Sequence, residues 1–299
     1  MTLEQLRIFV AVADSLHVTR AAQSLNITQS AASASIAALE TRHGMRLFHR
    51  IGRRIELTEA GRSFLPEAKA VLARAAQAEL ALTELSGLQR GSLTLHASQT
   101  IANYWLPPQL HAFRKLYPGI ALNLTIANTT EVGDAVGAGA ADLGFIEGDL
   151  ENPLLAQIPV PGDRLLLVVG PRHPWASAQA VTPADLKQAA WVLREKGSGT
   201  RQNFELGLRQ LGVDPAGINV AFELPSNEAV RNAVEAGAGA TVLSSLVVAD
   251  SLFAGRLRVI DLPFPERHFI ILRHGDRYIS KAEDALLRLV RGDNGLPGR

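Results

Sequence analysis

The hydrophobic and polar positions at the start of the chain predict three short helices. Apolar residues recur at three- and four-residue intervals over residues 3–13, 18–25 and 29–43, which is the period of an amphipathic helix. Asn26 is suited to the left-handed conformation that ends a helix, and Thr28 is suited to cap the helix that follows. The second and third helices are therefore predicted to be joined by a tight turn.

The third helix has two faces of different chemistry. Ala32, Ile36 and Leu39 would face the core, whereas small polar side chains occupy the opposite face at the helix start. A helix that enters the major groove of DNA needs short hydrogen-bonding side chains at its leading end. The pattern indicates a helix-turn-helix, with an Ala/Ser-rich helix packed inside a bundle as the alternative.

Two features favour the helix-turn-helix. The alanine pair at residues 21–22 allows two helices to cross closely. Residues 46–58 are basic and alternate between polar and apolar positions at their end, which is typical of a two-stranded wing. Gly52 lies at the turn of this wing beside Arg53 and Arg54, whose side chains can contact phosphates or enter a minor groove.

A long helix is predicted from Thr58 to about Leu88. Its apolar residues approximate a heptad seam that Glu79 interrupts; the seam residues are Leu65, Ala68, Leu72, Ala75, Leu82 and Leu85. Because no single core needs so long a helix, the pattern favours a coiled-coil linker between two copies of the chain. An amphipathic helix packed on its own domain is the alternative.

The rest of the chain predicts an α/β domain. Strands over 92–98 and 120–128 flank a helix over 105–117. An internal repeat follows, because residues 132–143 align without gaps on residues 230–241. Each copy predicts a helix that ends in glycine and then a strand. Two copies of one supersecondary unit imply two similar lobes, unless the match is a coincidence of Ala/Gly-rich sequence.

Two segments would connect these lobes. Residues 163–174 would carry the chain into the second lobe, residues 267–280 would bring it back, and residues 281–291 would close the first lobe as a helix. A ligand site is then expected in the cleft between the lobes. The predicted organisation is a winged helix-turn-helix domain (1–57), a dimerising linker helix (58–89), effector lobe I (90–163 and 267–299) and effector lobe II (164–266).

Residues 193–204, "LREKGSGTRQNF", lie at a predicted strand-to-helix junction. Free backbone N–H groups and the positive end of the helix point outward there, and glycine lets the backbone approach a ligand closely. Ser198 and Thr200 add hydroxyl donors, and Arg201 adds charge. The stretch is not a P-loop, and Gln202 stands where a dinucleotide fingerprint needs glycine. We therefore predict an anion site, with a plain helix-capping turn as the alternative.

Similar polar turns follow other predicted strands, at residues 97–103, 127–132 and 225–230. Because such turns would converge on one cleft, they supply a set of candidate effector-binding residues. The set is Ser98, Gln99, Thr100, Asn128, Thr129, Glu147, Ser198, Gly199, Thr200, Arg201, Ser226 and Asn227. Most are uncharged donors, and no nucleophile elbow, Ser-His-Asp spacing or carboxylate pair stands out. No catalytic residue is predicted.

Charge is unevenly distributed along the chain. The whole chain has a net charge of +1, but residues 1–54 carry seven arginines against three acids, which is +4 and leaves −3 for the rest. A basic N-terminal module on a slightly acidic body indicates an anionic partner for the first part only, with a solvated basic surface as the alternative.

Composition also excludes several classes of site. The absence of cysteine excludes disulfides, thiolate metal sites and cysteine nucleophiles, and the eight histidines have no metal-site spacing. The sequence contains no apolar run of the roughly 18 residues that a membrane span needs. Its N-terminus lacks the pattern of a signal peptide, so we expect a cytoplasmic chain without a membrane partner.

The sequence from Leu6 to Gly61 resembles the DNA-binding region of LysR-type transcriptional regulators, and the order of parts extends this resemblance over essentially the whole chain. It is carried by the spacing of Phe9, Ala21–Ala22, Leu25, Gln29–Ser30, Ser33, Ile36, Leu39–Glu40, Gly44, Leu47–Phe48, Arg50 and Thr58–Gly61. The resemblance implies a winged helix-turn-helix with a long linker helix, followed by a bilobal α/β effector domain like that of periplasmic binding proteins.

The resemblance also implies DNA-binding residues. Thr28, Gln29, Ser30 and Ser33 would meet the major groove, and Arg50, Arg53 and Arg54 would lie in or beside the wing. Ala34 departs from the family pattern, because many relatives carry a basic or larger polar residue there. Backbone contacts and DNA shape are therefore expected to carry more of the specificity.

Residues 101–120 and 194–202 resemble the subgroup that governs sulfur assimilation or carbon fixation, whose members sense small oxyanions or phosphorylated and redox metabolites. We therefore expect a bacterial regulator with no cofactor and a small anionic effector, either a sulfate- or sulfite-like oxyanion or a phosphorylated metabolite. Its expected partners are double-stranded promoter DNA, further copies of itself up to a homotetramer, and RNA polymerase. A solute-binding protein and a cytoplasmic enzyme acting on a phosphorylated ligand are the alternatives.

Overall fold

The computed structural model describes residues 1–51, 54–84, 91–178, 180–262, 264 and 266–292. The chain divides into two compact units, which are described separately. The first comprises Met1–Gly87 and Ala138–Ala140, and the second comprises Leu88–Gly137 and Ala141–Arg299.

Three helices open the first unit: α1 (Leu3–Ser15), α2 (Val18–Ser24) and α3 (Gln29–His43). The Thr28 side chain caps α3 by accepting a hydrogen bond from the Ala31 N–H, and Asn26 adopts a φ of +54° in the turn before it. The predicted core residues of these helices are buried: Ala21, Ala22, Ala32, Ile36 and Leu39. The predicted helix-turn-helix is confirmed.

A two-stranded wing follows α3. Strands β1 (Phe48–Ile51) and β2 (Arg54–Leu57) are antiparallel, with Phe48 opposite Leu57. Helix α4 (Glu59–Glu84) then completes the first unit.

The first half of α4 packs on the chain itself. Leu65, Ala68 and Leu72 lie in one cluster with Leu6 and Phe9 of α1. An amphipathic helix covers the nearest apolar face, and here that face is α1. These seam residues, which we predicted to face a second copy, are therefore used within the chain. The side chain of Leu82 is not described, and Leu85 lies outside the described residues.

The second unit alternates strands and helices. Its strands are β3 (Gly91–Ser98), β4 (Ile120–Ala127), β5 (Leu143–Glu147), β6 (Leu155–Val169), β7 (Ala190–Arg194), β8 (Asn219–Leu224), β9 (Ala240–Ser244), β10 (Arg258–Ile260) and β11 (Glu266–His274). Its α-helices are α5 (Leu106–Leu116), α6 (Thr129–Gly137), α7 (Pro183–Gln188), α8 (Gly199–Gln210), α9 (Asn227–Glu235), α10 (Ser245–Phe253) and α11 (Lys281–Arg291). A π-helical turn (Ile101–Trp105) precedes α5, and 3-10 turns lie at Pro174–Ser177 and Pro215–Gly217.

The strands of this unit form a mixed sheet in the order β4-β3-β5-β11-β6-β9-β7-β8, with β10 paired to β6. The antiparallel pair β6 and β11 lies at its centre. One apolar core surrounds Phe113, Phe145 and Phe269 on the β3 side, and another surrounds Trp191 and Phe204 on the β7 side. The bilobal α/β effector fold predicted from the sequence is confirmed, and β6 and β11 connect its two halves.

The internal repeat is a repeated piece of structure. Helix α6 leads into β5 and helix α9 leads into β9, as the two aligned segments predicted. Gly139 and Gly237, which align in the two copies, both adopt positive φ values, +71° and +94°. That backbone conformation is strained for residues with a side chain, so both copies end the helix with glycine for the same reason.

None of the described helices combines the length and the apolar character needed to cross a membrane.

Candidate functional site

The predicted anion loop forms the N-terminus of α8. Strand β7 ends at Arg194, Ser198 takes the N-cap position, and the Ser198 side chain makes no capping bond. A Cβ atom on Gly199 would overlap the backbone carbonyl oxygen of Glu147, at the end of β5. Helix α8 of one lobe therefore starts directly against a strand of the other lobe, and this approach requires glycine.

The carboxylate of Glu147 lies at the centre of this contact. Glu147 is 1% exposed, and its carboxylate accepts hydrogen bonds from the Ser98 hydroxyl and, at 3.3 Å, from the Thr200 hydroxyl. The Nη1 atom of Arg267 lies 3.9 Å from Glu147 Oε1. Residues from both lobes thus surround one buried carboxylate with donors and positive charge, which is the environment that stabilises an oxyanion.

Arg267 and Asp163 extend this cluster. The Arg267 guanidinium donates to both carboxylate oxygens of Asp163 and, at 3.3 Å, to the Thr200 hydroxyl. Ser244 also donates to Asp163. The side chains of Arg267 and Asp163 are each 2% exposed, so this ion pair is fully buried. Asp163 lies on β6 and Arg267 on β11, and the pair therefore joins the two connecting strands.

A second contact between the lobes occupies the N-terminus of α9. The Gln99 side-chain oxygen accepts the Asn227 backbone N–H at 2.6 Å, and Asn227 Nδ2 donates to the Thr100 hydroxyl at 3.0 Å. The other side of the Asn227 amide accepts a hydrogen bond from Arg194 at 2.6 Å. Gln99, Thr100 and Asn227, all predicted to bind the effector, are thus bonded to one another.

Tyr104 adds a third contact from the π-helical turn. Its hydroxyl donates to Glu228 Oε1 at 3.0 Å, and its ring packs against the apolar core of the second lobe. Burial, followed by the bond to Glu228, raises the pKa of Tyr104. Burial acts to raise the pKa of Glu228 as well, but hydrogen bonds from its own N–H, Ser226 and Tyr104 outweigh it, so the pKa is lowered. The neutral phenol and the charged carboxylate are therefore the favoured forms.

The remaining predicted effector residues differ in their placement. Thr129 is buried and donates to the Glu147 carbonyl oxygen, whereas Asn128 pairs with Glu131 at the start of α6. Ser226 caps α9. Arg201 donates to Glu205, Glu223 and the Arg194 carbonyl oxygen within its own lobe, so its guanidinium is not directed at Glu147.

The sequence analysis missed Asp163, Arg267, Tyr104 and Arg194. Their position was the available signal for two of them. We predicted two segments to connect the lobes, and Asp163 lies in the first and Arg267 in the second. A charged residue buried in a connecting strand is rarely without a partner.

The predicted DNA-binding residues of the first unit gather at the start of α3. Thr28, Gln29 and Ser30 are exposed and Ser33 is half-buried, and Gln29 Nε2 donates to the Ser33 hydroxyl at 2.9 Å. Arg50 lies in β1 and Arg54 in β2, but their side chains are not described, and Arg53 lies outside the described residues. The four polar side chains predicted to contact DNA are thus assembled at one end of α3.

A winged helix-turn-helix on a bilobal effector domain defines a ligand-responsive DNA-binding protein. Residues 3–62 match the family described as "Bacterial regulatory helix-turn-helix protein, lysR family", and residues 86–294 match "LysR substrate binding domain". The chain belongs to the LysR family. It is a transcriptional regulator with a DNA-binding domain and an effector-binding domain; it is not an enzyme.

Two relatives match over nearly their whole length. The chain is 36% identical over 284 residues to the HTH-type transcriptional regulator YeiE of Escherichia coli strain K12, covering 94% of each chain. It is also 36% identical over 286 residues to a probable RuBisCO transcriptional regulator of Cyanidioschyzon merolae, again covering 94% of each chain.

Two solved structures are similar as well. A full-length variant of OxyR from Pseudomonas aeruginosa has a TM-score of 0.71 at 23% identity, covering 97% of this chain and 95% of that one, and supports the fold. The regulatory domain of Synechocystis PCC6803 CcmR, solved in complex with 2-PG, has a TM-score of 0.61 at 26% identity. That match covers 70% of this chain and 100% of the CcmR chain.

Proposed function

We propose that this regulator is controlled by a small anion that binds between lobe I (90–163 and 267–299) and lobe II (164–266), at the N-terminus of α8. The observation that carries the proposal is the environment of the Glu147 carboxylate. A carboxylate is itself an oxyanion, and it already receives the Ser98 and Thr200 hydroxyls beside the Arg267 guanidinium. An effector oxyanion would use the same donors.

On this proposal, Glu147 holds the site in the absence of effector. Two anions cannot share one set of donors without strong repulsion, so a bound effector must displace the Glu147 carboxylate. The helix N-terminus and Arg267 then supply the attraction. The proposed effector-binding residues are those predicted from the sequence with two changes: Glu147 competes with the effector and Arg201 is bound within its own lobe, whereas Arg267 is added.

The proposed effector class is a sulfate- or sulfite-like oxyanion or a phosphorylated metabolite. The CcmR regulatory domain, with which this chain shares its fold and 26% identity, was solved with 2-PG. The relative of Cyanidioschyzon merolae is described as a RuBisCO regulator. The first observation favours a phosphorylated anion and the second favours a metabolite of carbon fixation, and the two hydroxyls at Glu147 suit either kind of oxyanion.

The effector would act by changing lobe closure. Displacing Glu147 breaks contacts that join the lobes, and the altered lobes change how dimers pack in a tetramer, with α4 as the dimerising helix. The spacing of the winged helices on DNA then changes. The effector shifts this equilibrium only by its difference in affinity for the two arrangements.

A thermal-shift screen of the full chain tests the effector site. Sulfite, sulfate, inorganic phosphate and 2-PG would be compared with chloride at equal ionic strength. At least one of the four anions should raise the melting temperature in a saturable manner. Thr200→Ala should remove most of that rise, whereas Thr125→Ala, an exposed threonine on β4, should retain it. A rise that Thr200→Ala leaves intact would show that the anion binds elsewhere.

DNA recognition is proposed to divide between α3 and the wing. Thr28, Gln29, Ser30 and Ser33 would read bases in the major groove, and Arg50, Arg53 and Arg54 would contact the backbone or minor groove. In gel-shift titrations, Gln29→Ala should reduce the preference for DNA from upstream of its own gene over unrelated DNA. The Arg53→Ala/Arg54→Ala double variant should weaken binding to both DNAs alike.

The matched control for the arginines is Arg7→Ala, a surface cation of α1 that pairs with Glu4. It should bind both DNAs as the unaltered chain does. If the Gln29 and Arg53/Arg54 variants behave alike, this division of roles is wrong.

A further inference from the structure

An open cleft of about 570 Å³ separates the middle of α3 from the wing. Ser33 and Ala37 line it on the helix, and His49 and Ile55 line it on the wing strands. Phe48 and Ile55 of the wing pack against the apolar cluster that includes Ile36 of α3, but the open cleft leaves the rest of this junction without direct packing. A polar contact supplements that packing.

Glu40 makes that contact. It lies in the last turn of α3, is 8% exposed, and uses one carboxylate oxygen to accept the backbone N–H groups of Leu47 at 2.8 Å and Phe48 at 3.1 Å. Two successive N–H groups that converge on one anion form a nest, which is a strong and directional arrangement. The other carboxylate oxygen faces the Arg46 guanidinium at 3.3 Å. The Arg46 side chain is 83% exposed, so that ion pair contributes little.

Leu47 and Phe48, whose N–H groups donate to Glu40, lie at the start of the first strand of the wing, and we call this end of the hairpin its root. Leu47 and Phe48 pack into the apolar core beneath α3 and α1, and the Leu47 carbonyl oxygen accepts the N–H of Thr58, which follows β2 at the same end of the hairpin. The wing is therefore held most closely at its root, and the open cleft lies between the rest of the wing and α3. A small change in the root would be magnified along the two strands.

We propose that Glu40 is a positioning residue for DNA binding: its carboxylate fixes the wing relative to α3, and so fixes the spacing between the wing contact and the major-groove contact. The inference rests on the proposed role of the wing. Glu40 need not touch DNA, and what matters is the reach of its acceptor oxygen rather than its charge.

Two variants distinguish the effect of the length of the Glu40 side chain from the effect of its charge. Glu40→Gln keeps an acceptor oxygen at the same distance and loses the charge, whereas Glu40→Asp keeps the charge and shortens the side chain by one methylene group. We expect Glu40→Gln to bind DNA as the unaltered chain does, and Glu40→Asp to bind about tenfold more weakly. If the charge acted through its field on DNA, Glu40→Gln would bind more tightly and Glu40→Asp would be unchanged.

The measurements are titrations of the full chain at several salt concentrations and hydroxyl-radical footprints, on DNA from upstream of its own gene. The unaltered chain is tested first, and if it does not bind, the proposed function fails before Glu40 is in question. In Glu40→Asp, protection at the wing-contacted positions should be lost. The salt slope should also fall by about one for each lost phosphate contact.

Base discrimination that depends on Gln29 should persist in Glu40→Asp, because α3 itself is unchanged. Glu4→Asp and Glu4→Gln, at an exposed acid on α1, are the matched controls and should leave binding unchanged. If Glu40→Asp melts at a lower temperature yet keeps its footprint and salt slope where it is folded, Glu40 is structural only and the inference is overturned. If Glu40→Asp does not fold, Glu40→Gln alone decides, since tighter or weaker DNA binding by that variant also overturns it.

Discussion

Glu147 is the side chain at which hydrogen-bond donors from both lobes of the effector domain converge beside a positive charge. It is a buried carboxylate that accepts two hydroxyl donors and lies beside a guanidinium already paired with Asp163. Removing its charge while keeping its shape should leave the donors in place and reduce the repulsion of an incoming anion.

Glu147→Gln is therefore expected to bind the effector anion about tenfold or more tightly than the unaltered chain. The check is calorimetric titration with the anion that gives the largest thermal shift. Glu151→Gln, at an exposed acid of the same lobe, is the control and should titrate as the unaltered chain does. Weaker binding by Glu147→Gln would mean that the carboxylate helps to hold the effector rather than competing with it.

Gly199 supports a second prediction at this scale. Gly199→Ala adds a Cβ atom that would overlap the Glu147 carbonyl oxygen, so α8 must move away from β5. The variant should melt several degrees lower, in line with about 1–3 kcal/mol for an overpacked site. Gly217→Ala, where a Cβ atom meets nothing within 4 Å, should melt as the unaltered chain does. Equal melting temperatures for the two variants would contradict the close approach seen at α8.

Single residues were predicted from the sequence where a local pattern identified them. The polar turns at Ser98 and at Ser198–Thr200 were predicted from strand ends and helix caps. In the structure the Ser98 and Thr200 hydroxyls both donate to the Glu147 carboxylate. Arg267 and Asp163 lie 104 positions apart, and only the sheet order brings them together. Arg201 has the charge expected of an anion ligand, but nearby acids in its own lobe bind it first.

The π-helical turn Ile101–Trp105 acts at the scale of an element. Together with Gln99 and Thr100, it directs one segment of lobe I onto the N-terminus of α9 in lobe II, where Tyr104 donates to Glu228. π-Helical turns are rare and concentrate at functional positions. The sequence predicted a polar turn over 97–103 and a helix only from residue 105, because an extra residue in one helical turn leaves no mark on the apolar pattern.

Tyr104→Phe should weaken lobe closure by about 1 kcal/mol, the usual worth of one hydrogen bond. Hydrogen exchange at α9 amides should rise accordingly, while Tyr117→Phe, in the same lobe beside Phe113, should leave it unchanged. Unaltered exchange in Tyr104→Phe would mean that Gln99 and Thr100 suffice for closure.

The same contact predicts a pH dependence. The pKa of Tyr104 is raised from its ordinary value of 10.0. The stability that the neutral Tyr104 hydroxyl contributes is therefore complete below pH 10 and is lost as pH rises through the folded-state pKa. The pKa of Glu228 is lowered from 4.5, so its contribution is complete above pH 4.5 and is lost as pH falls through the folded-state pKa. The stability difference between the unaltered chain and Tyr104→Phe should therefore be constant from about pH 5 to 9 and shrink outside that range.

Helix α4 illustrates the limit of pattern reasoning for an element. Its heptad-like spacing predicts an apolar stripe but does not say what covers it. In its first half the stripe is covered by α1 of the same chain, because that face is tethered nearby. Periodicity identifies a surface, whereas proximity along the chain decides its first partner.

At the scale of the whole molecule, the two halves of the effector domain were predictable because the sequence contains an internal repeat. The aligned segments at 132–143 and 230–241 predicted two halves, and the connecting strands follow from the two remaining apolar segments. The sheet order and the buried ion pair between β6 and β11 were not predictable, because they depend on how the two halves meet.

Linkage gives a prediction for the molecule as a whole. If the effector changes the affinity for DNA by some factor, DNA must change the affinity for the effector by the same factor. Titrating the anion into the free chain and into its DNA complex should give two dissociation constants. Their ratio should equal the factor by which the anion changes the DNA affinity in gel-shift titrations. Identical constants, together with a measurable effect of the anion on DNA binding, would rule out a single effector site coupled to the DNA-binding unit.

The buried carboxylate at the lobe interface has a consequence for the concentration at which such a sensor responds. A group attached to the chain competes at a fixed effective concentration, about millimolar for short flexible tethers. On the proposed function, a free anion must exceed the threshold that this built-in competitor sets, however well it fits. The response point can therefore change by substitution at one position without any change in which molecule is recognised.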